Sequence, residues 1–316
     1  MEAYTEKIRQ AARRLLKEKR VDVVMGFQRG TVPMMSQPVL IRKVDEVGRL
    51  HWDSHCGSNL ANYLPKRKER IALVAKGCDS RNIVGQILEN QIKREQLYII
   101  GIPCLGMVDR RRILAAFPGR EPLSVSEADT RLLIRGDGFE ETLERVQYLQ
   151  ENCAICTHRN PVIFDELVAE PAPEQSDLDR YEDIRGVEKM IPDERWQYFR
   201  ELLAPCIRCY ACRNACPMCY CPTCFVDESM PQWLGKSIDP TDTTTFHFLR
   251  AFHLAGRCTD CGNCQRVCPV GINMRQLNKK LEKEIKELYG YESGLSLEER
   301  PPLDTYRPED PQQFIK

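Results

Sequence analysis

The chain has 316 residues with 46 basic and 46 acidic side chains, a balance that gives it no electrostatic pull on nucleic acid or an anionic membrane. No apolar run approaches the roughly 20 residues that a membrane helix needs, and the opening stretch MEAYTEKIRQAARRLLKEKR is too charged for an export signal. Sixteen cysteines without such a signal are expected to work as thiols in a reducing cytoplasm, not as disulfides.

Residues 4–20 place Ile8, Ala11, Leu15 and Leu16 at helical spacing between Lys and Arg. The β-branched run from Val21 to Phe27 reads as a buried strand, and Ile71–Ala75 and Leu97–Ile102 repeat the pattern. Between the last two, residues 80–93 are periodic in the helical sense. Strand, helix and strand at this spacing make a βαβ unit, so residues 1–165 are predicted as an α/β domain, a parallel sheet with flanking helices. Residues 166–192 are polar, acidic and broken by Pro171 and Pro173, and read as a linker. Helices are predicted at 193–204 and 242–255, each leading into a cysteine run, with Gly256 as the stop of the second. A charged helix over 274–289 closes at Gly290, and its Lys–Glu alternation at 279–287 reads as a solvated face. Residues 193–290 are thus expected to form an α-helical dicluster ferredoxin-like domain. The remainder, 291–316, carries Pro301, Pro302, Pro308 and Pro311 and reads as an extended tail that lies on a partner or frays.

The cysteine runs carry the chemistry. Cys206, Cys209, Cys212 and Cys216 precede Pro217, and Cys258, Cys261, Cys264 and Cys268 precede Pro269. Both copies read C-x2-C-x2-C-x3-C-P, the spacing of bacterial two-cluster ferredoxins, in which the fourth cysteine of each run serves the other cluster. One 4Fe-4S cluster is therefore expected on Cys206, Cys209, Cys212 and Cys268, and a second on Cys258, Cys261, Cys264 and Cys216. The rival reading is two structural zinc ribbons or disulfides. Ribbons use cysteines two at a time and do not call for a third at the same step. Cys219, Cys221 and Cys224 lie beyond these eight and read as packing thiols, a small metal site or alternative ligands.

Five cysteines precede the linker: Cys56, Cys78, Cys104, Cys153 and Cys156. Cys78 and Cys104 each follow a predicted strand, where open α/β sheets collect cofactors, and Cys153 and Cys156 form a C-x2-C knuckle. These four suffice for a third 4Fe-4S cluster, with a zinc site or buried thiols as alternatives.

Four patches within residues 12–168, AARRLLKEKRVDVVMGF, VAKGCDSRN, GIPCLGMVD and ENCAICTHRNP, resemble the β subunit family of deazaflavin-reducing hydrogenases and formate dehydrogenases. The resemblance implies a 4Fe-4S cluster on Cys78, Cys104, Cys153 and Cys156, beside an FAD. Two departures accompany it. The family's Gly-Gly turn before the first helix has no counterpart in this sequence, and its Gly-Thr-Pro-Cys is Ala75-Lys76-Gly77-Cys78. No G-x-G-x-x-G follows a strand and no phosphate-binding G-x4-G-K-[ST] is present, so no flavin site is located by motif.

Of the remaining signals, His247 and His253 are six apart on their helix and read as ordinary helix residues. Tyr210 and Tyr220 are expected to shield sulfur from water, and Arg208, Arg213 and Arg257 to offset cluster charge or to lie solvated. No catalytic acid–base pair or nucleophile constellation appears. The sequence thus points to an iron–sulfur electron-transfer subunit of an anaerobic multi-subunit oxidoreductase of hydrogenase, formate dehydrogenase or heterodisulfide reductase type. Its partners are then other subunits of a redox complex. The alternatives are a free-standing ferredoxin-dependent flavoenzyme that reduces a soluble nicotinamide or deazaflavin carrier, and a scaffold with structural metal.

Overall fold

The continuous apolar runs of the N-terminal half become strands buried on both faces. In the computed structural model, which describes residues 1–128 and 130–312, helix α1 (Glu2–Lys17) is followed by strand β1 (Val23–Arg29), edge strand β2 (Ser36–Ile41) and strand β3 (Ile71–Ala75). Helix α2 (Gly77–Leu88) leads to strand β4 (Leu97–Gly101), then to the short helix α3 (Arg110–Ala115). Three strands follow, β5 (Pro122–Ala128), β6 (Arg131–Gly136) and β7 (Phe139–Glu144), before helix α4 (Glu151–Ala154) and strand β8 (Glu166–Leu167). The rest is helical: α5 (Glu182–Glu188), α6 (Pro192–Leu203), α7 (Ala211–Asn214), α8 (Pro240–His253), α9 (Asn263–Arg266) and α10 (Arg275–Tyr289).

The chain divides into two compact units. The first comprises Met1–Leu60, Lys66–Ser80 and Ile92–Leu178; the second comprises Ala61–Pro65, Arg81–Gln91 and the chain from Asp179.

In the first unit the sheet order is β2-β1-β3-β4-β8. Strands β1, β3, β4 and β8 run parallel, with Val23 opposite Ile71 and Ile71 opposite Leu97. All five residues of β3 are buried, as expected for a strand covered on both faces. The sheet is nevertheless mixed, not parallel throughout as predicted, because β2 pairs antiparallel with β1, Val24 opposite Ile41. β2 carries Pro38 and alternates exposed with buried positions, which is how an edge strand reads. Helix α1 buries Ile8, Ala11, Ala12 and Leu15 along one stripe. A separate antiparallel sheet, β5-β6-β7, was not predicted. Its signal was the Asp137-Gly138 pair between two short strands, a two-residue hairpin turn.

In the second unit α8 packs against α6 and α10, and α10 against α5. Its core gathers Leu203, Val226, Leu234, Phe246, Ile272 and Met274 with Cys212, Cys264 and Cys268. The face of α10 read as solvated is partly buried: Lys279 is 1% and Glu282 5% exposed. Lys279 pairs with Asp260 at 2.9 Å, and Arg180 is ion-paired with both Glu282 and Glu292. The stretch after Tyr289 also lies on its own unit. Tyr291, Ser293 and Gly294 are buried, and Arg81 Nε donates to the carbonyl of Ser293 at 2.9 Å. The last four residues of the expected tail lie outside the described residues.

Candidate iron–sulfur sites

The two cysteine runs fold alike at the level of single torsions. Arg208 and Asp260 occupy the same position in their runs, with φ of 51° and 52°; Tyr210 and Gly262, two residues on, have φ of 59° and 71°. Left-handed backbone at these positions curls each loop round its first sulfur. The amide of Arg208 donates to Cys206 Sγ at 3.4 Å, and that of Asp260 to Cys258 Sγ at 3.4 Å. Three of the four left-handed residues are not glycine, a local strain of the kind that collects at functional sites. The short helices α7 and α9 start from Tyr210 and Gly262, and Asn263 ties them together by donating to the carbonyl of Ala215.

Cys206, Cys209, Cys212 and Cys268 line one apolar cavity, walled by Phe246, Ile272 and Met274. Its donors are soft sulfurs in an apolar wall, the set that an iron–sulfur core takes. Cys268 belongs to the second run, so this cavity gathers three cysteines of one run with the fourth of the other. On the other side, Cys216 of the first run acts electrostatically on Cys261 and Cys264 of the second. Among the described residues, no group of three or more His, Cys, Asp or Glu gathers as a single metal ion needs. Burial pushes Cys212 and Cys261 up to about 12. Cys216 is held down to about 6, chiefly by the neighbouring Cys219 thiol, with Arg250 working against burial.

In the first unit, Cys78 opens α2 directly after β3, and Cys104 follows β4. Cys104 acts on Cys153 and Cys156, and its amide donates to the carbonyl of Arg159 at 2.9 Å. The backbone of Gly77, next to Cys78, is approached so closely by the 158–160 loop that a Cβ there would sit 2.3 Å from the His158 carbonyl oxygen. Lys76 acts on both Cys78 and Cys104, linking the two strand ends. Cys56 is fully buried and turned into its own loop, its Sγ 3.4 Å from Asp53 Oδ1 and accepting from the Asp53 amide.

Residues 202–272 match the 4Fe-4S dicluster domain family. The chain is 25% identical to the F420-dependent formate dehydrogenase subunit beta of Methanocaldococcus jannaschii, over 92% of this chain and 91% of that one. It is 23% identical to the F420-dependent formate dehydrogenase 1 subunit beta of Methanococcus maripaludis, over 92% and 90%. This chain resembles formate dehydrogenase β subunits over nearly its whole length. Among solved structures, a chain of the F420-reducing NiFe hydrogenase complex from Methanosarcina barkeri aligns with a TM-score of 0.38 and 11% identity, covering 48% of this chain and 58% of that one. The resemblance read from four sequence patches is therefore shared by full-length relatives, and the chain carries a 4Fe-4S dicluster domain. No helix among the described residues is long and apolar enough to cross a membrane.

Two residues stand out: His247, expected to be an ordinary helix residue but buried against a cysteine of the first run, and Arg250, for which the sequence raised no expectation. His247 Nε2 lies 3.3 Å from Cys206 Sγ, and Arg250 is buried one turn further along α8. The signal was available. Thr243, His247, Arg250 and Leu254 form one buried stripe at helical spacing, with three polar residues where apolar ones would pack. Burial, aided by Arg250 and Arg208, lowers His247 to about 4, so it meets Cys206 as a neutral imidazole. His253 is exposed and rests edge-on against Phe225, an ordinary helix residue as read. Arg208 donates to the carbonyls of Gly235 and Ser237 and to the Tyr210 hydroxyl. Arg213 pairs with Asp227 at 2.7 Å and Arg257 with Glu89.

Proposed function

We propose that this chain is the electron-transfer subunit of a cytoplasmic, multi-subunit oxidoreductase of formate dehydrogenase type. Twelve cysteines hold three 4Fe-4S clusters. Cys206, Cys209, Cys212 and Cys268 carry the first, Cys258, Cys261, Cys264 and Cys216 the second, and Cys78, Cys104, Cys153 and Cys156 the third. The observation that carries the reading is the one apolar cavity that brings Cys268 of the second run to three cysteines of the first. A cluster bound there takes up and returns one electron at a time.

The protein's own part is to hold the thiolates, dry them and aim donors at them. Phe246, Ile272 and Met274 keep water from the first site. The amides of Arg208, Asp260 and Gly106 point at Cys206, Cys258 and Cys104, and such N–H···S contacts stabilise added negative charge. No residue is assigned to breaking a substrate bond.

The residue at the family's threonine position, Lys76, is committed to Asp79 at 2.8 Å and to the carbonyls of Cys56 and Ser58. Its ammonium is taken up by these three acceptors, and the relay proposed needs no flavin.

Iron, acid-labile sulfide and flavin content on anaerobically purified protein test this reading. About twelve irons per chain are expected from three cubanes. A count near two, with zinc, would sink it. One FAD beside twelve irons would make this the subunit that meets a two-electron carrier; none leaves a relay between partners. For the third site, Cys78→Ser is expected to lose about four irons and Cys56→Ser none. The opposite result would give Cys56 the ligand role.

A further inference from the structure

Arg250 is only 4% exposed, and its Nη2 donates to the carbonyl of Cys212 at 3.1 Å. Its Nε finds no acceptor among the described residues. The guanidinium lies against the thiols of Cys216 and Cys219, and the groups acting on it most strongly are the sulfurs of Cys216, Cys219, Cys264 and Cys212. Among the described residues no carboxylate pairs with it, whereas Arg213, Arg257 and Arg275 each have one. A buried cation without a counter-charge is among the costliest things a protein core can hold. The counter-charge of Arg250 is therefore the thiolate set itself.

His247, one turn earlier, places Nε2 3.3 Å from Cys206 Sγ. One face of α8 thus sets an imidazole against Cys206 and a guanidinium against Cys216 and Cys264 of the second set, with Cys212 of the first set at its edge.

Resting on the dicluster reading above, we propose that Arg250 is the counter-cation of the second cluster and stabilises its reduced form, so that an electron entering the pair rests there. The step is one electron from a low-potential one-electron donor. The added negative charge stays on the iron–sulfur core and its thiolates, and Arg250 keeps its proton. Arg250 is a positioning residue, not a ligand.

Potentiometric titration followed by EPR on Arg250→Gln and Arg250→Lys, with iron measured in both, tests the assignment. In Arg250→Gln the higher of the dicluster midpoints is expected to fall, lowering the reduced-to-oxidised ratio at fixed poise at least about tenfold, or about 59 mV for a one-electron couple. Arg250→Lys should keep iron and stay near the native midpoints. Unmoved midpoints in a fully loaded Gln variant would overturn the proposal, as would equal shifts in both variants, which mark a packing role. If the Gln variant sheds iron, the Lys variant decides: native iron and midpoints support the assignment, and anything else removes it. Native protein without iron would instead dismiss the cluster reading itself, a separate result.

Discussion

Cys216→Ser together with Cys219→Ser is expected to strip the irons of the second repeat, not those of the run in which both residues lie. Cys216 leaves the end of α7 and meets Cys261 and Cys264, while the remaining three cysteines of its own run share a cavity with Cys268. About four irons should be lost, with the EPR signal of the Cys206 set retained. The double substitution matters because Cys219 is hydrogen-bonded to Cys216 and could take its place as a thiolate. If the first repeat's signal vanished instead, each run would be holding its own cluster. Cys268→Ser is the mirror test: it should remove the first cluster and spare the second.

Arg180→Met should cost about 3–5 kcal/mol of unfolding free energy, the range for removing one member of a buried ionic cluster. Arg180 is 8% exposed and ion-paired with Glu282 and Glu292, whose side chains are 4% and 9% exposed. Substituting it leaves two buried carboxylates that must share Lys279, Arg81 and Lys286. Urea unfolding of the anaerobic holoprotein measures the loss. Adding Glu292→Gln should return part of it, because the second change removes one of the stranded charges. A loss below about 1 kcal/mol, typical of exposed pairs, would mean that the cluster is solvated.

These two residues show where sequence was informative and where it was silent. The 4Fe-4S dicluster domain at 202–272 was legible because cluster geometry demands fixed steps of two and three residues, which chance seldom supplies. The parallel strands were legible because burial on both faces leaves continuous apolar runs such as Ile71–Ala75. Arg180, Glu282 and Glu292 were not. One lay in a presumed linker, one on a presumed solvated helix and one in a presumed tail. A buried ion network is written in the same letters as a wet surface, and only folding shows which charges face each other. β2 and the β5-β6-β7 sheet escaped for a related reason: exposed faces interrupt their apolar pattern. Arg250 lies in line with Leu254 on the buried side of α8, a charged letter in a dry stripe.

The exchanged fourth cysteines bear on how such a duplication can evolve. A doubled sequence is normally free to let one copy decay, but on the proposed ligand sets each copy finishes the other's cage. Damage to either run is felt in both, so neither can be discarded or set loose as a half-sized protein. Two fragments separated anywhere between Phe225 and Gly256 would each own three thiols of one cage and a single thiol of the other. Reunion in equal amounts would then be the condition for either to fill.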